Sequence, residues 1–144
     1  DTSPSLSHLV FNAMFAADGL IMPCPPDALD FASSVQFWGV FTELMHNFPG
    51  AQHKTYDFVS IVYTKVQNTD ISRLVKVWMK QAYGAHMNAV EIPESLAARL
   101  ASAQLKTIYD QPKPEVGPEA HKRYKEPLDR LADFTLEQLA IAWS

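Results

Sequence analysis

The chain has 144 residues, of which 47% are hydrophobic and 19% charged, one domain's worth of an ordinary globular protein with enough apolar material for a core. Its net charge of −4 excludes the chain as a whole from holding polyanions by bulk electrostatics, although a local basic patch still can. The single cysteine, Cys24, rules out an internal disulfide and a cysteine-cluster metal site and fits a reducing cytosol; there is neither a run of about 18 apolar residues to span a membrane nor a basic-then-apolar leader.

The chain opens with an acidic residue and a turn, Asp1-Thr2-Ser3-Pro4-Ser5-Leu6. A helix is expected over residues 6–17, capped by Ser5 or Ser7, and Asp18-Gly19 ends it. Residues 20–22 are short and apolar on both faces and read as a central parallel strand. The run Pro23-Cys24-Pro25-Pro26 breaks that strand. Asp27 or Asp30 then caps a long helix to about Asn47. Its apolar face is wide, with Leu29, Val35, Val40 and Leu44 beside Phe31, Phe37, Trp38 and Phe41, which reads as a helix packed on a sheet and on another chain. A carboxylate placed before such a turn and helix normally ends a buried strand and faces the ligand crevice of an α/β sheet. No such strand precedes Asp1, so the chain is expected to be the later part of something larger.

After a polar loop, residues 57–63 are rich in β-branched side chains and predict a second strand, with a loop over 64–69. Thr69 or Asp70 caps a helix to Tyr83 that presents Ile71, Leu74, Val75, Trp78, Met79 and Ala82 on one face and stops at Gly84. Residues 87–92 predict a third strand closed by Pro93. Ser95 starts a helix to about Ile108. Residues 112–118 form a Pro-rich linker, and residues 119–144 a helical tail broken near Pro127 and at Phe134-Thr135. Helix and strand alternate, which argues for a parallel sheet with right-handed crossovers. The expected fold is α/β, a partial doubly wound parallel sheet of about three strands with flanking helices. Residues 1–111 form its body. A three-stranded parallel sheet with an open flank is a poor isolated fold, a second reason to expect an incomplete domain.

Three stretches carry a resemblance: Asp1-Thr2-Ser3-Pro4-Ser5-Leu6, Asn12-Ala13-Met14-Phe15-Ala16-Ala17-Asp18 and Leu20-Ile21-Met22-Pro23. Together they resemble the Walker B (switch II) segment of the ParA/MinD family of partition ATPases, with Ser3 where the family pattern has a first proline. The likeness continues through Leu29-Asp30-Phe31-Ala32-Ser33-Ser34, Ile61-Val62-Tyr63-Thr64-Lys65 and Glu91-Ile92-Pro93-Glu94-Ser95, and covers the chain to about Tyr109. It implies the C-terminal part of a P-loop NTPase fold. The family's phosphate-binding loop would lie upstream; the five glycines here, at 19, 39, 50, 84 and 117, do not form one. The chain alone is therefore expected not to hydrolyse ATP.

The resemblance also assigns roles. Asp1 would be catalytic, holding the water shell of Mg²⁺ beside ATP. Thr64 and Lys65, with Pro93 and Glu94, lie in loops after strand ends and would contact the adenine. Arg73, Lys76 and Lys80, spaced i, i+3, i+7, with Arg99 and Lys106 on the next helix, would hold DNA non-specifically through its phosphates. The cluster His121-Lys122-Arg123-Tyr124-Lys125 reads as exposed helix surface. The five histidines lack metal-ligand spacing, and no Gly-x-Ser-x-Gly elbow accompanies the serines. The implied parent is a ParA-like ATPase for plasmid or chromosome partitioning. It would form an ATP-dependent homodimer, bind non-specific DNA, respond to a centromere-binding partner of ParB type, and work in the cytoplasm on the nucleoid. The alternative from the residues themselves is a non-catalytic module that dimerises through apolar helices. A membrane-bound variant is disfavoured because residues 134–143 contain no Lys or Arg.

Overall fold

The computed structural model describes residues 7–110 and 117–144, so the opening run with Asp1 and most of the expected linker lie outside the described residues. Helix α1 spans His8–Ala16, strand β1 Gly19–Cys24 and helix α2 Ala28–Asn47. Strand β2 spans Phe58–Val66, helix α3 Asp70–Tyr83 and strand β3 Met87–Pro93, followed by helices α4, Leu96–Ala103, and α5, Pro118–Ala142. The helix starts follow the local chemistry of the sequence. Ser7, Asp27, Thr69 and Ser95 each turn a side-chain oxygen onto a backbone N–H of the first turn, of Val10, Leu29, Ser72 and Ala97 respectively. Gly84, in the left-handed half of backbone space at φ 53°, closes α3 by donating its N–H to the Lys80 carbonyl.

The three strands are parallel, in the order β1-β2-β3. Successive residues of β2 point to opposite faces, and Ile61, Val62 and Tyr63 are all buried. One face carries Ile61 and Tyr63 with Cys24, and packs on Val75 and Met79 of α3 and Phe31 of α2. At its near end Leu20 joins Val10 and Met14 of α1 and Phe41 of α2. The other face carries Val62, Val90 and Ile92 against Tyr124, Leu128 and Leu131 of α5. The α/β class and its parallel three-stranded sheet with flanking helices are therefore as the residues predict.

Four expectations change. β1 includes Pro23 and runs to Cys24, and it is an edge strand rather than a central one among the described residues; β2 is central. β2 continues past Tyr63 to Val66, so Thr64 and Lys65 belong to the strand end and not to a loop. Lys65 sits there at φ 49°, and the β2–β3 register shifts between Tyr63 and Val66, the mark of a bulge that lets the strand run on. The apolar face of α3 is narrower than its sequence suggests: Val75 and Met79 are buried, whereas Ile71, Leu74 and Trp78 remain exposed. Finally, α4 stops at Ala103 and α5 is one continuous helix through Pro127, Phe134 and Thr135.

Pro127 removes one helical hydrogen bond and should cost about 3 kcal/mol. It is nevertheless buried, between residues that dock on β3, and Phe134 meets Phe58 edge-on at 6.3 Å. That burial offsets the lost bond. Thr135 turns its hydroxyl to the Leu131 carbonyl, 2.7 Å away, which keeps it within the helix. The start of α5 is tied to the turn after α4: Lys125 pairs with Asp129 at 2.6 Å, and the Tyr109 hydroxyl donates to the same carboxylate at 2.8 Å.

Met79→Ala, at a fully buried site, should lower the unfolding free energy by about 2–5 kcal/mol, whereas Ile71→Ala on the exposed side of the same helix should change it by less than about 0.5 kcal/mol; urea denaturation measures both. Hydrogen bonds from Lys125 and Tyr109 hold the Asp129 carboxyl below the usual carboxylate range. A lowered folded pKa gives stability that is full above the unfolded value and is lost as pH falls through the folded one. Amide exchange at the Tyr109 turn should therefore accelerate below about pH 4, and Asp129→Asn should remove that acid-side response.

Candidate functional site

The bulged end of β2 and the end of β3 meet at the carboxyl edge of the sheet, where α/β folds place ligands. Val66 is in register with Pro93, and the Glu94 N–H donates to the Val66 carbonyl at 3.0 Å. Gln67 then donates its amide to the Glu94 carboxylate at 2.5 Å. The structure thus brings together the two segments singled out for base contact, with Thr64 half-buried, Lys65 exposed, and Pro93 and Glu94 one strand away.

Helix α5 roofs this edge and makes two adjoining open grooves. One, of about 470 Å³, lies between Arg73 and Lys76 of α3, the β2 and β3 ends, and Arg123 and Arg130 of α5. The other, of about 670 Å³, lies between Pro93-Glu94-Ser95 and the first turns of α5. Both share Pro93, Arg123 and Glu126.

The cations differ in how free they are. Arg73 bonds the Asp70 carboxylate and the Asn68 side chain, the latter at 2.8 Å. Lys76 pairs with Glu91 and lies over the Tyr63 ring, 5.3–5.5 Å from its centre as such contacts go, at 5.4 Å here. Burial, and secondarily Glu91, pushes the Tyr63 hydroxyl above its ordinary pKa, so it stays protonated and donates to the Lys76 carbonyl at 3.2 Å. Lys80, Arg99 and Lys106 are exposed and form no salt bridge among the described residues. Arg73 and Lys76 border the groove; Lys80, Arg99 and Lys106 do not. α3 covers the Ile61–Tyr63 face, whereas α4 packs on α5, which covers the opposite one. The five cations are therefore split between the two sides of the sheet.

Sequence reasoning missed Arg123 and Arg130 as groove residues. They are seven apart, the spacing of one helix face, on either side of Pro127. The signal was present, but reading Pro127 as a break hid it. His121, taken as surface, is buried, its Nε2 2.9 Å from the Ile108 carbonyl. Asp1 lies outside the described residues. Among the described residues, no group of three or more His, Cys, Asp or Glu could hold a metal ion. No helix among them is long and apolar enough to cross a membrane.

No family model matches the chain. It is similar to Protein SopA of Escherichia coli strain K12, 27% identical over 116 residues that make up 77% of this chain and 29% of SopA. Protein SopA of Escherichia coli O157:H7 matches to the same extent. The chain thus spans about 29% of the length of the curated relatives it matches.

The engaged and the free cations should separate in a stability measurement. Lys76→Ala loses an ion pair and a ring contact and should lower the unfolding free energy by about 1 kcal/mol. Lys80→Ala should change it by less than about 0.5 kcal/mol.

Proposed function

We propose that this chain is the C-terminal part of a ParA-like partition ATPase. The observation that carries the reading is the similarity to SopA, a plasmid partition protein, along most of the chain, which supports a partitioning-related role. The helix–strand order after the Asp1 turn agrees with it: α1 feeds β1 of a parallel sheet, as the resembling motif requires. The P-loop NTPase fold, with its phosphate-binding loop upstream, belongs to the same proposal.

In this reading ATP, with Mg²⁺ held through water by Asp1, spans the carboxyl edge of the completed sheet. Thr64, Lys65, Pro93 and Glu94 border the base. ATP binding brings two copies together as a homodimer that holds DNA without reading its sequence, through Lys80, Arg99 and Lys106 together with Arg73 and Lys76. A ParB-type partner stimulates hydrolysis and release, on the nucleoid in the cytoplasm. The exposed cations are better suited to phosphate contact than the paired ones, because an engaged side chain must first leave its partner.

A second reading, a non-catalytic dimerising module, is favoured by one observation. Ile71, Leu74 and Trp78 form an exposed apolar stripe at i, i+3, i+7 along α3.

The test is ATP hydrolysis by the longer polypeptide that contains this chain, with and without random-sequence duplex DNA. Hydrolysis stimulated by DNA, lost on Asp1→Ala, is expected. Replacing Lys80, Arg99 and Lys106 together by Glu should weaken DNA binding at low salt by at least about tenfold and flatten its salt dependence. A longer polypeptide that forms dimers but neither hydrolyses ATP nor binds DNA would leave the dimerising module standing instead.

A further inference from the structure

β1 has the sequence of an interior strand and the position of an edge. Gly19-Leu20-Ile21-Met22-Pro23-Cys24 is apolar on both faces, with none of the charged residues that protect natural edges. Yet β1 pairs with β2 alone, over six residues from Gly19 opposite Phe58 to Cys24 opposite Tyr63. α5 covers the second face over β2 and β3, and Ile21 is left 40% exposed. Beside the free edge, between α1 and α2, lies a groove of about 630 Å³ whose walls include Met14, Leu20, Ile21, Met22, Phe37 and Trp38. Trp38 adds an unmet demand: its Nε1 is buried and has no hydrogen-bond partner.

We propose that the free edge of β1 seats a fourth strand, parallel to β1, supplied by polypeptide outside these 144 residues. Both existing pairings are parallel, and sheets built wholly of parallel strands are over-represented and covered on both faces. Six residues of strand span about 20 Å, enough for a full partner strand. The length needed to supply it exists in proteins of this kind, since the matched region is 29% of SopA. Pro23 is consistent with the arrangement. A proline keeps its missing donor off a ladder, so Pro23 turns its backbone groups away from β2. By the two-residue period, the Ile21 N–H and carbonyl turn the same way, and the Pro23 carbonyl remains an acceptor. The incoming strand therefore bonds chiefly around Ile21. This inference rests on the sheet and not on the partition reading: ATPase and DNA assays can fail while the strand is present, and the reverse.

The test compares amide hydrogen exchange at position 21 in the 144-residue chain and in the full natural product of its gene. The Ile21 amide is expected to exchange at least about a hundredfold more slowly in the full product, while the β2 amides are protected in both. Ile21→Lys, which puts a charge beside the edge at an exposed site, should restore fast exchange at that position in the full product with β2 still protected. Equal, fast exchange of Ile21 in both proteins would overturn the proposal. So would a gene product with no polypeptide beyond these residues. Slow exchange in the 144-residue chain that appears only as it dimerises would overturn it too, by assigning the edge to a second copy.

Discussion

The fold depends on β2 being covered on both sides. Ile61, Val62 and Tyr63 follow one another, point alternately up and down, and are each at most 2% exposed. That is possible only if two helix layers close on the same strand. α2 and α3 supply one layer, and α5 supplies the other from the far end of the chain. The second layer is what makes a three-stranded sheet tolerable, since three parallel strands with one bare face could not bury enough apolar surface to offset the ordering of their backbone. One buried polar contact fits the same scheme. Asn88 of β3 donates to the Ser60 hydroxyl of β2 at 2.8 Å and accepts from the Val90 N–H, so its amide is satisfied where β3 joins the center of the sheet.

α5 shows how tertiary packing overrides a local rule. A proline in mid-helix is read from sequence as a break, because it lacks the donor and crowds the preceding turn. Here the apolar side chains on either side of Pro127, from Tyr124 to Leu131, fall on one face and meet Val62, Val90 and Ile92. The helix is held from outside by its contact with the sheet and by the Tyr109–Asp129–Lys125 hydrogen bonds, so one missing internal bond does not end it. The same misjudged proline explains why Arg123 and Arg130 were not recognised as one face: a broken helix has no common face.

Much else was legible in the residues. The caps at Ser7, Asp27, Thr69 and Ser95, the stop at Gly84 and the alternation of strand and helix are local chemistry, and local chemistry is what a sequence states most directly. The pairing of the segments around Thr64–Lys65 and Pro93–Glu94 was legible too, because adjacent parallel strands put their carboxyl ends side by side. What was not legible depends on neighbours. The bulge at Lys65 is a matter of register with β3. The edge position of β1 depends on which strands surround it. The exposure of Ile71, Leu74 and Trp78 depends on how far α2 reaches over α3, which periodicity alone does not fix.

The cations make the same distinction within the candidate site. Spacing alone treats Arg73, Lys76 and Lys80 as one stripe of equals. The structure separates them: Lys76 is bound into the sheet by Glu91 and Tyr63, Arg73 is held by the loop it follows, and Lys80 stands in solvent. Phosphate contact rewards charge that is available without breaking a prior bond, and it is additive over contacts rather than dependent on any one of them. A surface that binds polyanions through this chain must therefore draw on Lys80 from one side of the sheet and Arg99 and Lys106 from the other. A single copy presents these charges in separate directions, so a continuous basic track requires a second copy to complete it. Dimerisation and DNA binding are in that sense one requirement and not two.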